Sequence, residues 1–304
     1  MDISIVIATR NRSASLVRAL RSLCDLRRPE DCRLEVIVVA SACDDDTVAQ
    51  ASHFANDLPL RILEEPLPGL SRARNRALDE INADLVILLD DDVAVDPDLL
   101  QAYRAAIIGY PEHGFFGGAI TVRFEGEPSG LVRDIARILP STWSQLWLGG
   151  QARPFDPAAF EAPYGANMAI RMDRLGGRRF DMRFGRQGDG KLQGGEETCL
   201  FEGLRNDGVA GIWVPDARVE HWIDPARQSL GYASRYWREA GVLQMRIGHY
   251  RPEMARLKWK QRIVLLWRVC LYRLRHRPDM WLPAFRELRL EKGRCDAASG
   301  NGWG

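Results

Sequence analysis

The chain has 304 residues, with 42 Lys and Arg against 41 Asp and Glu and a formal net charge of +1. It is long enough for a sizeable core, and a charge this near zero gives no whole-protein attraction to nucleic acid, which is not expected as a partner. Cys24, Cys32, Cys43, Cys199, Cys270 and Cys295 lack the paired spacing of a zinc site or redox motif, so free thiols in a reducing compartment are expected.

Ile3 to Ala8 reads as a strand, Thr9-Arg10-Asn11-Arg12 as a loop, and Ser13 to Cys24 as a helix with Leu16, Leu20 and Leu23 on one face. Leu34 to Val39 is a second strand, Asp44-Asp45-Asp46 can cap a helix running to about Phe54, and Leu60 to Leu63 is a third strand. A helix from Gly69-Leu70-Ser71 to Ile81 precedes a fourth strand, Leu85 to Leu89. Pro97 starts a helix to about Ile108, and Phe115 to Val122 is a further strand. This alternation predicts parallel crossovers and an α/β doubly wound sheet.

Beyond Glu125 the pattern loosens into helical segments around Leu131 to Leu148, then a Gly- and Pro-rich stretch from Gly149 to Gly165 expected to be a mobile loop. Asn167 to Ile170 resumes a strand, Gly185 to Gly195 is a glycine-rich loop, and Glu196 to Leu204 is helical. Gly211 to Val214 and Ala217 to His221 are read as two closing strands, and from Ser229 onward everything is helical with a break near Arg277-Pro278. The domain expectation is a catalytic domain over 1–228, divided into 1–125 and 126–228, and a basic helical extension over 229–304. No basic n-region or long h-region follows Met1, and no run reaches the ~18 apolar residues of a spanning helix, so a cytoplasmic location is expected.

The most informative stretch is Leu85-Val-Ile-Leu-Leu-Asp-Asp-Asp-Val93, an apolar strand ending in three carboxylates. Strand alternation would put Asp90 and Asp92 on one face, a geometry for a hard divalent cation with sites left open for phosphate. Three adjacent anions repel one another, and a bound cation relieves them. A solvated acidic turn is the plainer alternative.

Eight pieces in order, SIVIATRNR (4–12), LEVIVVASACDDDT (34–47), GLSRARNRAL (69–78), ADLVILLDDDV (83–93), GANMAIR (165–171), RFDMRFG (179–185), GGEETCL (194–200) and VEHW (219–222), give a chain that resembles glycosyltransferase family 2. The resemblance implies a GT-A fold, a Rossmann-like doubly wound mixed sheet, here with a C-terminal helical extension. It also implies an inverting, nucleotide-sugar-dependent enzyme using Mn2+ or Mg2+. Thr9, Arg10, Ser41 and Asp45 would then lie by the base and ribose, and Arg72, Arg74 and Asn75 by the phosphates or sugar. Asp90, Asp91 and Asp92 take the place of the family's D-x-D group, Asp90 and Asp91 toward the donor and Asp90 and Asp92 toward the metal. His221 matches a further metal ligand of some relatives, and Glu196-Glu197 stands where the family carries Glu-Asp, with Glu197 as general base. Ala40-Ser41 replaces the acidic pair that helps recognise the base, and a UDP-sugar is preferred only as the commoner family donor.

Each residue has a plainer reading. Glu197 suits the first turn of a helix, and Arg72 and Arg76 a solvated face. His221 suits a half-buried site, Asp44 to Asp46 a cap, and Trp143 and Trp147 packing. Leu88 to Val93 also reads as the D-x-D-x-V of a haloacid-dehalogenase-like phosphatase with Asp90 as nucleophile, and a non-catalytic sugar-nucleotide-binding scaffold is a third reading. The expected acceptor is a saccharide or lipid-linked saccharide. Between Arg251 and Arg294 thirteen Lys and Arg face four Asp and Glu, and apolar residues surround Ile263 to Tyr272. With Trp259, Trp267 and Trp281, this tail suits an anionic membrane surface at the inner leaflet, against a helical pair packed on the domain or an oligomer contact.

Overall fold

A computed structural model describes residues 1–187, 194–248 and 252–299. In chain order the elements are β1 (Asp2–Thr9), α1 (Ser13–Cys24), β2 (Arg33–Ser41), α2 (Thr47–Ser52), β3 (Leu60–Glu65), α3 (Leu70–Leu78), β4 (Leu85–Asp90), β5 (Val93–Val95) and α4 (Leu99–Gly109). They continue as β6 (Phe115–Phe124), α5 (Gly130–Ile138), β7 (Arg153–Pro154), β8 (Asn167–Arg171), α6 (Glu196–Asn206), β9 (Gly211–Ile223), α7 (Leu230–Arg246), α8 (Trp259–Leu274) and α9 (Pro278–Ala298). One compact unit carries the sheet with α1–α4 and α6; a second carries α5 and α7–α9.

In the first unit the strands run β3-β2-β1-β4-β8-β6-β9-β5, with β7 on β9. The β3-β2-β1-β4 half is parallel, and β8 joins β4 antiparallel. This is the mixed sheet of the sequence expectation. Parallel strands covered by helices are apolar on both faces, which is why Ile5 and Ile7 of β1, Val36 to Val39 of β2 and Leu85 to Leu88 of β4 are continuous and buried. Helix α1 covers them with Leu16, Ala19, Leu20 and Leu23, the face its periodicity predicts. The strand order reverses between β1 and β4, and the crevice at the carboxyl ends of such a pair is where α/β sheets bind ligands.

Three expectations are corrected. The helix around 131–148 stops at Ile138, and Pro140–Trp143 is a short 3-10 turn, because proline cannot continue the α-helical ladder. The 149–165 stretch is strapped down: β7 pairs with Trp213 and Ile212, and Arg153 binds Glu161 at 2.7 Å. The two closing strands are one, β9, since Pro215 needs only a position without a ladder donor. Residues 188–193 of the glycine-rich loop lie outside the described residues.

Asn167 ties the antiparallel half together. Its amide nitrogen donates to the carbonyls of Ala119 at 3.1 Å and Ala217 at 2.8 Å, and its oxygen accepts from the Tyr103 hydroxyl at 2.7 Å. Gly118 lets β9 come this close, since a Cβ there would run into the Ala217 carbonyl. In the second unit, Gly241 and Gly293 do the same for α7 and α9, where a Cβ would meet the backbone of Leu290 and Arg238. Truncating Asn167 orphans three buried polar groups. Asn167→Ala is therefore expected to lower stability by about 2–4 kcal/mol, read as a lower urea midpoint at unchanged slope.

Candidate functional site

The register of β1 on β4 sets Ala8 opposite Asp90, so the three carboxylates emerge beside the loop that leaves β1. Strand β4 ends at Asp90, and Asp91 and Asp92 lie in a turn. Alternation therefore does not hold Asp90 and Asp92 on one face, which corrects that geometric expectation. Thr9 Oγ1 donates to Asp91 Oδ2 at 2.7 Å, while Arg12 spans Asp91 Oδ1 at 2.5 Å and Asp92 Oδ2 at 2.9 Å. Val93 of β5 faces His221 of β9, which brings His221 Nε2 to 3.2 Å from Asp92 Oδ1. Burial pushes the Asp91 carboxyl up to about 6, with Arg12 opposing and Asp92 adding to the rise. Burial also works against the Arg12 charge, but Asp91, Asp92 and Asp90 outweigh it, and the guanidinium is held firmly cationic.

Asp90 turns the other way. Arg74, only 2% exposed on α3, donates to Asp90 Oδ1 at 3.1 Å, Glu196 Oε1 at 2.9 Å and the Gly165 carbonyl at 3.3 Å. One buried guanidinium thus joins the acid run to the first turn of α6. A Cβ on Gly165 would lie 2.7 Å from Arg74 Nη2, so the glycine is what admits the side chain. Gly185, at φ +86°, closes the opposite flank, where a Cβ would come within 2.8 Å of Ser71 Oγ. Burial, then the neighbouring charge of Glu197, push Glu196 up to about 8 against the pull of Arg74. The Oε2 atoms of Glu196 and Glu197 are both buried without a hydrogen-bond partner. Such atoms are costly unless a function uses them.

The remaining residues are more scattered. Asn75 spends both ends of its amide on the Phe180 backbone, each at 2.8 Å. Arg72 and Arg10 are half-buried, and Arg76 pairs with Glu80 at 2.6 Å. Ser41 is buried with its hydroxyl on the Leu67 carbonyl at 3.3 Å. Asp45 is exposed and accepts from the Thr47 amide at 3.0 Å at the start of α2, an arrangement that with the Thr47 hydroxyl holds its carboxyl below the usual range. The sequence reading passes over Arg12 and Gly165. The signal for Arg12 is electrostatic: three carboxylates at a buried strand end need a guanidinium, and the adjoining loop carries two.

Asp92 Oδ1 and His221 Nε2 stand 3.2 Å apart, the spacing of two neighbouring ligands on one cation. A carboxylate with an imidazole fits Mn2+ well and Mg2+ less closely. Asp90 is held off on Arg74, and among the described residues no three His, Cys, Asp or Glu side chains converge to hold an ion.

The model of glycosyl transferase family 2 matches residues 4–171. The chain belongs to that family. The succinoglycan biosynthesis protein ExoM of Rhizobium meliloti is 30% identical over 247 residues, 77% of this chain and 71% of that protein. A glucosyl-dolichyl phosphate glucuronosyltransferase of Haloferax volcanii is 24% identical over 229 residues, 73% and 69% of the two chains. The fold is shared with the mannosyltransferase PcManGT from Pyrobaculum calidifontis, solved with GDP-Man and Mn2+, at a TM-score of 0.57 and 18% identity, covering 98% of this chain and 74% of that one. It is also shared with S. aureus TarS 1-349 bound to UDP-GlcNAc, at 0.54 and 14%, covering 99% and 90%. The protein is thus a glycosyltransferase on the GT-A scaffold with a helical C-terminal region, and the phosphatase reading, which needs Asp90 as a nucleophile, is overturned by family membership.

Glu196 gives this transferase a pH signature. Its folded pKa lies above the ordinary value, so the native state holds a proton that the unfolded chain has lost. The contribution is fully present below about pH 4.5 and is lost as pH rises through about 8. Thermal unfolding between pH 5 and 9 is expected to show Tm falling less with rising pH in Glu196→Gln than in wild type.

Proposed function

We propose that this family 2 enzyme is an inverting, divalent-metal-dependent transferase that moves a sugar from a nucleoside-diphosphate sugar to an acceptor hydroxyl. The observation that carries the reading is the Glu196-Glu197 pair, tied through Arg74 to the acid run at the end of β4. Thr9, Ser41 and Asp45 lie along the carboxyl ends of β1 and β2 and are the proposed contacts for base and ribose, with Arg10, Arg72 and Asn75 as further donor-side candidates. Asp90 and Asp91 serve the donor, and Asp92 with His221 would hold the metal, Asp90 being kept on Arg74. A divalent cation such as manganese or magnesium, if bound by Asp92 and His221, would supply positive charge to steady the departing diphosphate.

Glu196 keeps its proton at neutral pH and is positioned by Arg74, while Glu197 accepts the proton of the attacking hydroxyl. The acceptor oxygen forms its bond to the anomeric carbon as the bond to the diphosphate oxygen breaks on the opposite side, so configuration inverts and no covalent intermediate is needed. A UDP-sugar is the preferred donor. The name of the Rhizobium relative supports a role in polysaccharide biosynthesis, and the proposed acceptor is a saccharide or lipid-linked saccharide met on the cytoplasmic side at the inner leaflet.

Thermal shifts with UDP- and GDP-sugars, with and without Mn2+ or Mg2+, test the donor site. A metal-dependent rise in Tm for one base, lost in Asp92→Ala, is expected; no shift with any nucleotide under either metal overturns it. Glu197→Gln is expected to keep that shift while kcat falls about 10²- to 10⁴-fold. Undiminished turnover would remove Glu197 from the role of base and favour a distant acid, and absence of turnover in wild type beside intact binding would favour the scaffold reading.

A further inference from the structure

Helix α8 differs from the other long helices in having no buried residue. Its 16 residues span about 24 Å, and among the described residues no helix is long and apolar enough to cross a membrane. Leu265, Val269 and Tyr272, at helical spacing, are half-covered and form its inner side toward α9. Leu271 is half-covered as well, while an outward row stays open, with Trp259 68%, Ile263 55%, Trp267 57% and Leu274 81% exposed. Isolated exposed apolar residues are ordinary; a whole helix face of them marks a contact surface.

The charges around that face are of one sign. From residue 254 to 278 the chain holds eight Lys and Arg and no Asp or Glu. Lys260, Arg268 and Arg275 are exposed, and Lys260 Nζ lies 5.6 Å from the centre of the Trp259 ring. Inward, toward α9, the one-signed charge ends: a cavity of about 650 Å³ lined by Leu266, Val269, Phe285 and Leu288 also holds Glu291 and Asp296, and Arg262 lies 3.6 Å from Glu291.

We propose that α8 lies in the plane of an anionic lipid bilayer, its outer row sunk among the acyl chains and Lys260, Arg268 and Arg275 on the lipid phosphates. An amphipathic cationic helix too short to span is suited to this position, tryptophans favour the interface, and long basic side chains reach the headgroups while their stems stay in the apolar layer. A protein partner of acidic character would satisfy the charges but gives no reason for an outward row of tryptophan and branched aliphatic residues. Trp281, expected at this interface from the sequence, is not part of it. It is 5% exposed inside the second unit, beside Phe285 and under Arg273 at 5.5 Å. The proposal deepens the cytoplasmic-leaflet location given above and does not rest on the transfer chemistry.

The test is sedimentation of the full chain with vesicles of phosphatidylcholine alone and of phosphatidylcholine mixed with phosphatidylglycerol. Wild type is expected to partition onto the anionic vesicles and scarcely onto the neutral ones. Each basic side chain near such a surface is worth about fivefold in partition, so Lys260→Glu/Arg268→Glu/Arg275→Glu is expected to lose at least about 100-fold. Ile263→Ser/Trp267→Ser is expected to lose binding and the blue shift of tryptophan emission on vesicles. Nucleotide thermal shifts should be unchanged in both variants, which shows that they are folded and separates this proposal from the transferase reading. Equal binding to both vesicles, or none to either, overturns the proposal. A wild-type dimer by analytical ultracentrifugation that becomes monomeric in Ile263→Ser/Trp267→Ser, with no vesicle binding, would give the face to a second copy of the chain instead.

Discussion

A buried strand that ends in three carboxylates is unstable without counter-charge, and two guanidinium groups supply it. Arg12 takes Asp91 and Asp92, and Arg74 takes Asp90. Removing either partner would leave an uncompensated charge in a poorly solvated place, a loss of several kcal/mol in comparable sites. The division also sorts the acids by neighbour. Asp92 is left beside His221, whereas Asp90 shares its arginine with Glu196. The end of β4 and the first turn of α6 are therefore held in register by a single side chain on α3.

Much of the fold could be read from residue order because the parallel half of the sheet is local and strongly patterned. The boundaries of α1 come directly from its leucine spacing, and β4 is announced by its apolar run. The failures are equally physical. Local pattern carries no information about β7, two residues long and held only by pairing with β9. Pro215 reads as a breaker, yet β9 passes through it because the neighbouring pairings do not depend on its missing donor.

The candidate site is legible in its residue types more than in its contacts. Thr9, Arg74, the three aspartates, Glu196, Glu197 and His221 come from motifs, but which acid meets which base depends on register and on where β4 stops. Arg12 and Arg10 are indistinguishable in sequence, and only the turn after β1 decides which one faces the acids. Trp281 failed for the same reason: its apolar, basic surroundings are those of an interfacial residue, and packing against Phe285 places it inside.

Gly165 and Gly185 enclose the Arg74–Glu196 pair with main chain instead of side chains. For anyone diversifying this enzyme by saturation mutagenesis, those two positions will return glycine whatever sugar is selected for, because any larger residue evicts the guanidinium or strains a left-handed backbone. Variation is then confined to neighbouring positions bordered by side chains instead of main chain, and a glycine-sealed charge pair can persist unchanged beneath it.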